Sequence, residues 1–362
     1  MVDAIKQKVT ELVGLSSFPT KKLGKNGPQV TQMGFGLMGL SAFYGKPKPD
    51  EERYAMLDHV YNSGELFWDS ADMYQDSEDL IGRWFKRNPG AREKIFLATK
   101  FANYVDPKTG ERSVRNEPEY IQQACDKSLS RLGIDYIDLY YCHRVDANQP
   151  IEITVKEMKK LQDAGKVKYL GLSEVSAETL RRACKVAHID AIQMEYSPFS
   201  MEVETEGVLQ ACRELGVALV AYSPLGRGFL TGSIRSRSDF GEGDFRSFAP
   251  RFSEENFHKN LELVDKLKAL ADKKGCTTGQ LVLAFLLNSG DDVFPIPGTT
   301  KIKNFDENMG ATKIRLTEEE DKEIRHAIDN AEVKGGRYPE AFSKALLVDT
   351  VPLSEYKGPH SA

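Results

Sequence analysis

The stretch Phe67-Trp68-Asp69-Ser70-Ala71-Asp72-Met73-Tyr74 ends a short apolar segment with an acid and then a phenol. Further along, Ile95-Phe96-Leu97-Ala98-Thr99 runs into Lys100, and Ile137-Asp138-Leu139-Tyr140-Tyr141 runs into His143. An acid, a phenol, an amine and an imidazole thus lie at or just past the C-terminal ends of successive candidate strands. In a closed parallel barrel those ends converge on one face, where active sites are built. The pattern predicts one proton-transfer site assembled from distant pieces of chain.

Outward from these segments, strand and helix signals alternate. Helical spacing is read over Glu78–Lys86 with Ser77 as cap, over Pro118–Leu132 ended by Gly133, and over Ile151–Leu161, Ala177–Ala187 and Gly207–Leu215. Between them lie the strand-like segments Val167–Ser173, Ala191–Tyr196 and Val217–Tyr222. Asp265–Asp272 and Thr278–Leu287 read as helices, Val293–Ile296 as the last strand, and Phe305–Gly310 and Glu318–Ala331 as closing helices. This is a rhythm of about eight strand–helix repeats, which parallel strands joined by helical crossovers require. The predicted fold class is α/β, a (β/α)8 TIM barrel.

Three pieces stand outside the repeat. Phe18–Leu23 and Val30–Phe35 read as a hairpin that plugs the barrel bottom, with Asn26-Gly27 as its tight turn. Residues 227–258 form a long insertion after the seventh strand, expected to act as a lid or cofactor clamp. Residues 332–362 form a C-terminal tail without clear periodicity. No composition shift argues for a second domain, so residues 1–362 read as one barrel domain with its core at about 18–331. The rival is an open doubly wound sheet, and Gly34-Phe35-Gly36-Leu37-Met38-Gly39 formally matches its glycine fingerprint. No helical pattern begins there, and Gly45, Pro47 and Pro49 follow soon after, so the match is set aside.

Composition narrows the classes further. A chain of 362 residues can bury a large core without disulfide or metal. A net charge of −5 gives no basic footprint for nucleic acid. The five cysteines (Cys125, Cys142, Cys184, Cys212, Cys276) are dispersed with no CxxC pair, which reads as reduced thiols in a cytoplasmic protein. Residues 1–14 lack the apolar run of a secretory signal, and no stretch approaches the roughly 20 apolar residues that span a bilayer.

The four strand-end residues suit carbonyl reduction. A hydride arriving at a carbonyl carbon leaves charge on oxygen, and an acid must supply a proton. A tyrosine is protonated at neutral pH, and a nearby ammonium favours the phenolate left behind. Tyr74 is then the donor, Lys100 the cation, Asp69 the group that orients Lys100, and His143 a hydrogen-bond donor to the carbonyl oxygen. A two-carboxylate glycoside hydrolase on the same barrel is the rival chemistry, with Asp69 or Glu174 paired with Glu195. No metal site is read: HExxH and Cys/His clusters are missing from the sequence.

At these residues the chain resembles the aldo-keto reductase superfamily over about residues 18–331. The likeness rests on Trp68 to Tyr74, Ala98-Thr99-Lys100, Asp138 to Arg144, Gly171-Leu172-Ser173, Gln193, Ala221 to Gly228, and Ile296 through Asn308. Gly36 to Leu40 and Leu225 to Gly232 look most like a microbial and plant branch of yeast-type reductases and auxin-induced-like proteins. The resemblance implies NADPH, with NADH as the alternative, extended across the barrel mouth. It makes Asp69, Tyr74, Lys100 and His143 a catalytic tetrad. It places Gly36, Leu37, Met38 and Asp69 beside the cofactor, Ser173 and Gln193 on the nicotinamide amide, and Tyr222 against the nicotinamide ring.

By the same resemblance, Ser223, Pro224, Leu225, Gly226, Arg227 and Gly228 form the pyrophosphate loop, whose backbone amides suit an anion. Gly298, Thr299, Thr300, Lys301, Asn304, Glu307 and Asn308 form the adenosine end, with Glu307 and Asn308 on adenine. Two departures stand out. Glu174 occupies the place of an asparagine, and Gly298 and Asn304 occupy the lysine and arginine positions of the 2′-phosphate site. Thr300 and Lys301, with Lys303, are the candidate replacements.

Phe43, Tyr44, Phe101, Tyr104 and Arg144 are the candidate wall of the substrate pocket. An aromatic wall favours aryl or hydrophobic aldehydes, and pyridoxal fits it too. The implied partner is a small-molecule carbonyl compound, with no nucleic acid and no membrane, and a homo-oligomer is compatible. A nucleotide-binding regulatory subunit that keeps the tetrad is the second reading.

Overall fold

The computed structural model describes residues 18–359. The expectation about a leader at residues 1–14 lies outside them. Two short strands, β1 (Thr20–Lys22) and β2 (Gln29–Thr31), pair antiparallel. The barrel strands are β3 (Phe35–Gly36), β4 (Phe67–Asp69) and β5 (Phe96–Phe101). A small hairpin, β6 (Asn103–Val105) and β7 (Arg112–Val114), interrupts them. The series resumes with β8 (Ile137–Cys142), β9 (Val167–Ser173), β10 (Ala191–Glu195), β11 (Ala218–Tyr222) and β12 (Val293–Pro295).

The eight strands form one parallel sheet in the order β12-β11-β10-β9-β8-β5-β4-β3. Its two edges meet. The Gly34 and Gly36 amides donate to the carbonyls of Pro295 and Pro297 at 2.9 and 3.2 Å. The sheet is thereby closed, as a barrel must be to leave no unpaired edge.

Helices join the strands: α1 (Asp50–Asn62), α2 (Ser77–Arg87), α3 (Pro118–Leu132), α4 (Ile151–Asp163), α5 (Ala177–Val186) and α6 (Val208–Leu215). After β11 come α7 (Glu254–Lys274) and α8 (Thr278–Asn288), and after β12 come α9 (Ile302–Gly310) and α10 (Glu318–Asp329). Among the described residues no helix is long and apolar enough to cross a membrane.

Side chains alternate across a strand, so every second residue points into the barrel. Phe67, Phe96, Ala98, Leu139, Tyr141, Ala191, Ala218, Val220 and Phe294 form that inner cluster, and Leu23 and Val30 of the hairpin join it. The hairpin lies at the N-terminal end, where the Lys25 amide donates to the Gly216 carbonyl just before β11 at 2.8 Å. Followed toward the C-terminal mouth, the same inward register brings up Asp69, Lys100, His143, Ser173, Gln193 and Tyr222. The period of two thus converts an apolar plug at the bottom into a polar ring at the top. Gly171 has no side chain because the Tyr141 ring fills its share of the interior; a methyl group there would overlap the ring.

Several local expectations are corrected. The hairpin's left-handed residue is Gly24 (φ 64°); Asn26 and Gly27 do not take positive φ. Residue 77 begins α2, with Asp76 in the cap position. α1 was not anticipated: its buried face includes Arg53 and Tyr54, so the apolar period is weak. Arg53 is tolerated there because its guanidinium grips Asp76 at 2.8 and 2.9 Å and also pairs with Asp50. The helix expected at Asp265–Asp272 is the latter part of α7, which starts at Glu254 inside the region read as insertion. The hairpin β6–β7 was also unforeseen.

The rest of the insertion and the tail roof the mouth. Tyr44 and Asp244 form a backbone bridge, and the Phe245 amide donates to the Phe43 carbonyl at 3.0 Å. On the opposite side Val175 bridges Val348 of the tail.

Candidate active site

Asp69 ends β4 and Lys100 lies one strand over, near the end of β5. Their side chains are 3% and 0% exposed, and Lys100 Nζ donates to Asp69 Oδ1 at 2.5 Å and to the Ser70 carbonyl at 2.6 Å. Gln193 Nε2 donates to Asp69 Oδ2 at 2.8 Å, so both carboxylate oxygens are held. Burial raises the Asp69 carboxyl and lowers the Lys100 ammonium, and their mutual attraction works against both shifts.

Tyr74 sits on the turn after β4, packed among Ala42, Ala71, Met38 and Phe43. Lys100 Nζ lies 5.1 Å from its ring centroid, and the His143 ring lies edge-on at 5.9 Å. Burial, and then the Asp69 carboxylate, push the phenol well above its ordinary value. Burial, then the charges of Arg144 and Lys100, push His143 well below its own. At neutral pH the phenol therefore carries a proton and the imidazole is uncharged. Tyr74 is the group with a proton to give, and neutral His143 is limited to hydrogen bonding. His143 Nδ1 has no partner among the described residues.

Around this centre the structure brings most expected cofactor residues together. The Leu37 amide donates to the Asp69 carbonyl at 2.9 Å, next to Gly36 and Met38. Ser173 and Gln193 are paired in register on β9 and β10, and Ser173 Oγ accepts from Arg144 Nη1 at 3.2 Å. The Tyr222 hydroxyl donates to Glu174 Oε1 at 2.8 Å. In the loop after β11, Ser223, Gly226, Arg227 and Gly228 all take positive φ, between 49° and 89°. Two amides of this turn are used within it: Gly226 donates to the Ser223 carbonyl at 2.9 Å and Gly228 to the Leu225 carbonyl at 3.0 Å. Arg227 is nearly sealed, and its Nη2 has no hydrogen-bond partner.

The adenosine end is less enclosed. Lys301 to Asn304 are exposed around the first turn of α9, whose N-terminal amides suit an anion. Thr299 Oγ1 accepts from the Lys301 amide at 3.1 Å, and Thr300 is half-buried beside it. Glu307 accepts from Thr277 at 2.8 Å, and Asn308 is buried. Gly298 has a structural cause: a Cβ there would lie 2.5 Å from the Gly36 carbonyl where the barrel closes. No lysine fits at that position in this chain.

Of the candidate pocket wall, Phe43 meets Tyr74 edge-on at 6.4 Å, and Tyr44 lies under the Arg246 guanidinium at 5.2 Å. Arg144 borders Ser173. Phe101 is corrected: it is fully buried and stacked on Tyr140 at 5.0 Å, behind the sheet. Tyr104 packs on Tyr120 and Arg115 in the β6–β7 hairpin, outside the ring of strand ends.

The carboxylates of the hydrolase alternative are all engaged. Glu174 is gripped by Arg337 and Tyr222. Glu195 lies 3.6 and 3.7 Å from Arg227 and Arg251 and accepts from Ser200 at 3.3 Å.

Sequence reading missed Arg337 and Tyr338, which enter this site from the tail. A signal existed: a glutamate at a buried strand end needs a cation in direct contact. An open pocket of about 340 Å³ between α3 and α4, lined by Pro118, Gln122, Ile153 and Glu157, lies outside the barrel and is unrelated to this constellation.

Asp72 has a role in stability. It is half-buried, its Oδ1 is sealed without a partner, and burial, with Glu78 nearby, raises its carboxyl from 3.8 to about 8. A raised folded value means the folded state holds the proton more tightly than the unfolded chain. The resulting stabilisation is full below pH ~4 and is lost as pH rises through ~8. Asp72→Asn is therefore expected to melt above wild type at pH 9 and to lose that advantage as the pH is lowered toward 5. Melting curves across this range check it; a constant offset at every pH would contradict it.

A barrel with a buried Asp–Lys pair, a protonated phenol and a neutral imidazole at its mouth, beside a tight glycine-bearing loop, defines an oxidoreductase class. The chain belongs to the aldo/keto reductase family, whose model matches residues 32–329. It is 52% identical to the aldo-keto reductase yakc [NADP(+)] of Schizosaccharomyces pombe, over 93% of this chain and 99% of that protein. It is 48% identical to aldo-keto reductase str7 of Strobilurus tenacellus, over 93% and 99%. Among solved structures it is similar to the glycerol dehydrogenase AKR11B4 of Gluconobacter oxydans: TM-score 0.78, 25% identity, covering 88% of this chain and 97% of that one. It is also similar to the thermostable aldo-keto reductase Tm1743 in complex with the inhibitor epalrestat: TM-score 0.69, 27% identity, covering 86% and 100%.

Proposed function

We propose that this protein is an NADPH-dependent reductase of aldehydes and ketones, with Tyr74 as proton donor. The observation that carries the assignment of roles is the sealed Asp69–Lys100 pair, with Lys100 5.1 Å from the ring of a phenol that burial keeps protonated. The enzymatic class and the cofactor follow from family membership and from the NADP(+) reductase relative.

The residues fit the nucleotide. The loop Ser223 to Gly228, with the buried Arg227 guanidinium beside it, would take a pyrophosphate, and the start of α9 with Lys301 and Lys303 suits a 2′-phosphate. Ser173 and Gln193 would hold the nicotinamide amide, with Tyr222 against the ring. When bound, the reduced nicotinamide supplies the hydride. His143 donates a hydrogen bond to the substrate oxygen and concentrates the developing charge there. Tyr74 passes its proton to that oxygen, and Lys100, oriented by Asp69, favours the phenolate that remains.

The roof leaves Tyr74 only 8% and His143 only 7% exposed. The chain reads as one barrel domain with its core at about residues 18–331. Its five free cysteines, three of them buried, suit a reducing cytoplasm.

Titrating the protein with NADPH and NADH by fluorescence, then following NADPH oxidation with a panel of aldehydes and ketones, tests this. NADPH is expected to bind more tightly and to be oxidised. Tighter binding of NADH would overturn the 2′-phosphate assignment, and no oxidation with any carbonyl compound would overturn the reductase reading.

A further inference from the structure

The tail leaves α10 and is tied to α7, where Asn260 Nδ2 donates to the Lys334 carbonyl and the Lys334 amide donates to Asn260 Oδ1, both at 2.8 Å. Arg337 and Tyr338 follow at once. Arg337 meets Glu174 with both arms of its fork, Nη1 to Oε1 at 3.0 Å and Nη2 to Oε2 at 3.1 Å, with side chains 6% and 0% exposed. Further along the tail, the Val348 amide donates to the Glu174 carbonyl at 3.0 Å. The tail thus holds residue 174 by backbone and side chain at once.

Glu174 is also in the left-handed region, at φ 53°. Such a conformation is unfavourable for a side chain of this size and persists only where the surroundings over-determine it. The over-determination has an outlet. Glu174 Oε1, besides Arg337, accepts from the Glu195 amide at 3.2 Å and from the Tyr222 hydroxyl at 2.8 Å. The Tyr338 hydroxyl lies 3.4 Å from that of Tyr222, and its ring stacks under the Arg227 guanidinium at 4.6 Å.

We propose that Arg337 is a positioning residue for the nicotinamide end of the cofactor site: its fork fixes the Glu174 carboxylate, which fixes the Tyr222 hydroxyl and with it the plane of the ring on which the nicotinamide rests. The proposal rests on the cofactor reading above. The tail is thereby part of the cofactor site, and its departure would release Tyr222.

Arg337→Lys keeps the charge and loses the fork. It is expected to weaken NADPH binding ~10-fold in the wild-type background, within the range for residues sharing one hydrogen-bond network. In a Tyr222→Phe background, itself ~10-fold weaker, the same change is expected to cost less than ~2-fold, because the link it acts through is already cut. KM for NADPH should rise with KM for the carbonyl substrate unchanged. Melting without nucleotide shows whether each chain is folded. If Arg337→Lys is not, the charge-neutral combination Glu174→Gln with Arg337→Met takes its place in the same cycle, with the same expected ratio. Equal losses in the two backgrounds would overturn this inference alone. A folded wild-type protein that does not bind NADPH would overturn the cofactor reading and this inference with it.

Discussion

Tyr74→Phe is expected to bind NADPH as tightly as wild type and to reduce carbonyl compounds ~10²–10⁴-fold more slowly, the usual contribution of a positioned general acid. The substitution removes one oxygen and leaves the ring, so its packing on Phe43 and its edge contact with His143 persist. The two neighbours, His143 and Lys100, cannot take over. His143 is held uncharged by burial and by the Arg144 and Lys100 charges, and Lys100 is committed to Asp69 and the Ser70 carbonyl. Because burial keeps the wild-type phenol well above its ordinary value, the reduction rate should show no loss of this acid between pH 6 and 9. Steady-state rates beside a fluorescence titration of NADPH measure both halves. A variant within a few-fold of wild type would exclude Tyr74 as the donor.

The second large effect is expected from Lys100→Met. It leaves the Asp69 carboxylate sealed in the barrel with Gln193 as its remaining partner. Breaking a buried pair from one side costs about 3–5 kcal/mol, since the orphaned charge has no water to return to. Turnover should also fall by at least ~10²-fold, because the phenolate formed at Tyr74 loses its cation. Adding Asp69→Asn separates the two losses. Replacing both charges restores most of the stability, whereas activity stays low. Chemical denaturation and turnover of the two variants check this. Recovery of activity together with stability would mean that the pair only holds the barrel together.

The barrel and its polar ring were legible because both obey a period of two. Once Phe96, Ala98 and Lys100, or Leu139, Tyr141 and His143, are placed on one face of a strand, the bottom of the barrel is apolar and the mouth is reactive. What escaped reading lacked a period. α1 buries Arg53 through ion pairs, so its inner face does not read as apolar. Gly298 looked like a loss from the phosphate site, yet its cause is steric, a contact with Gly36 made when the first and last strands meet. Arg337 lies 163 residues from Glu174, and no local pattern links them. Only the rule that a buried charge requires a partner connects the two, and it gives no position for that partner. Phe101 was misplaced for a related reason: it follows Lys100 on a strand, so it points the other way, onto Tyr140.

A crystal structure with NADP+ bound tests the central assignment most directly. The expected result is a nicotinamide lying on Tyr222, its amide on Ser173 and Gln193, and its C4 facing the Tyr74 hydroxyl across room for one carbonyl group. A nicotinamide bound away from the Asp69–Lys100 pair, with Tyr74 out of reach of any substrate oxygen beside C4, would contradict it.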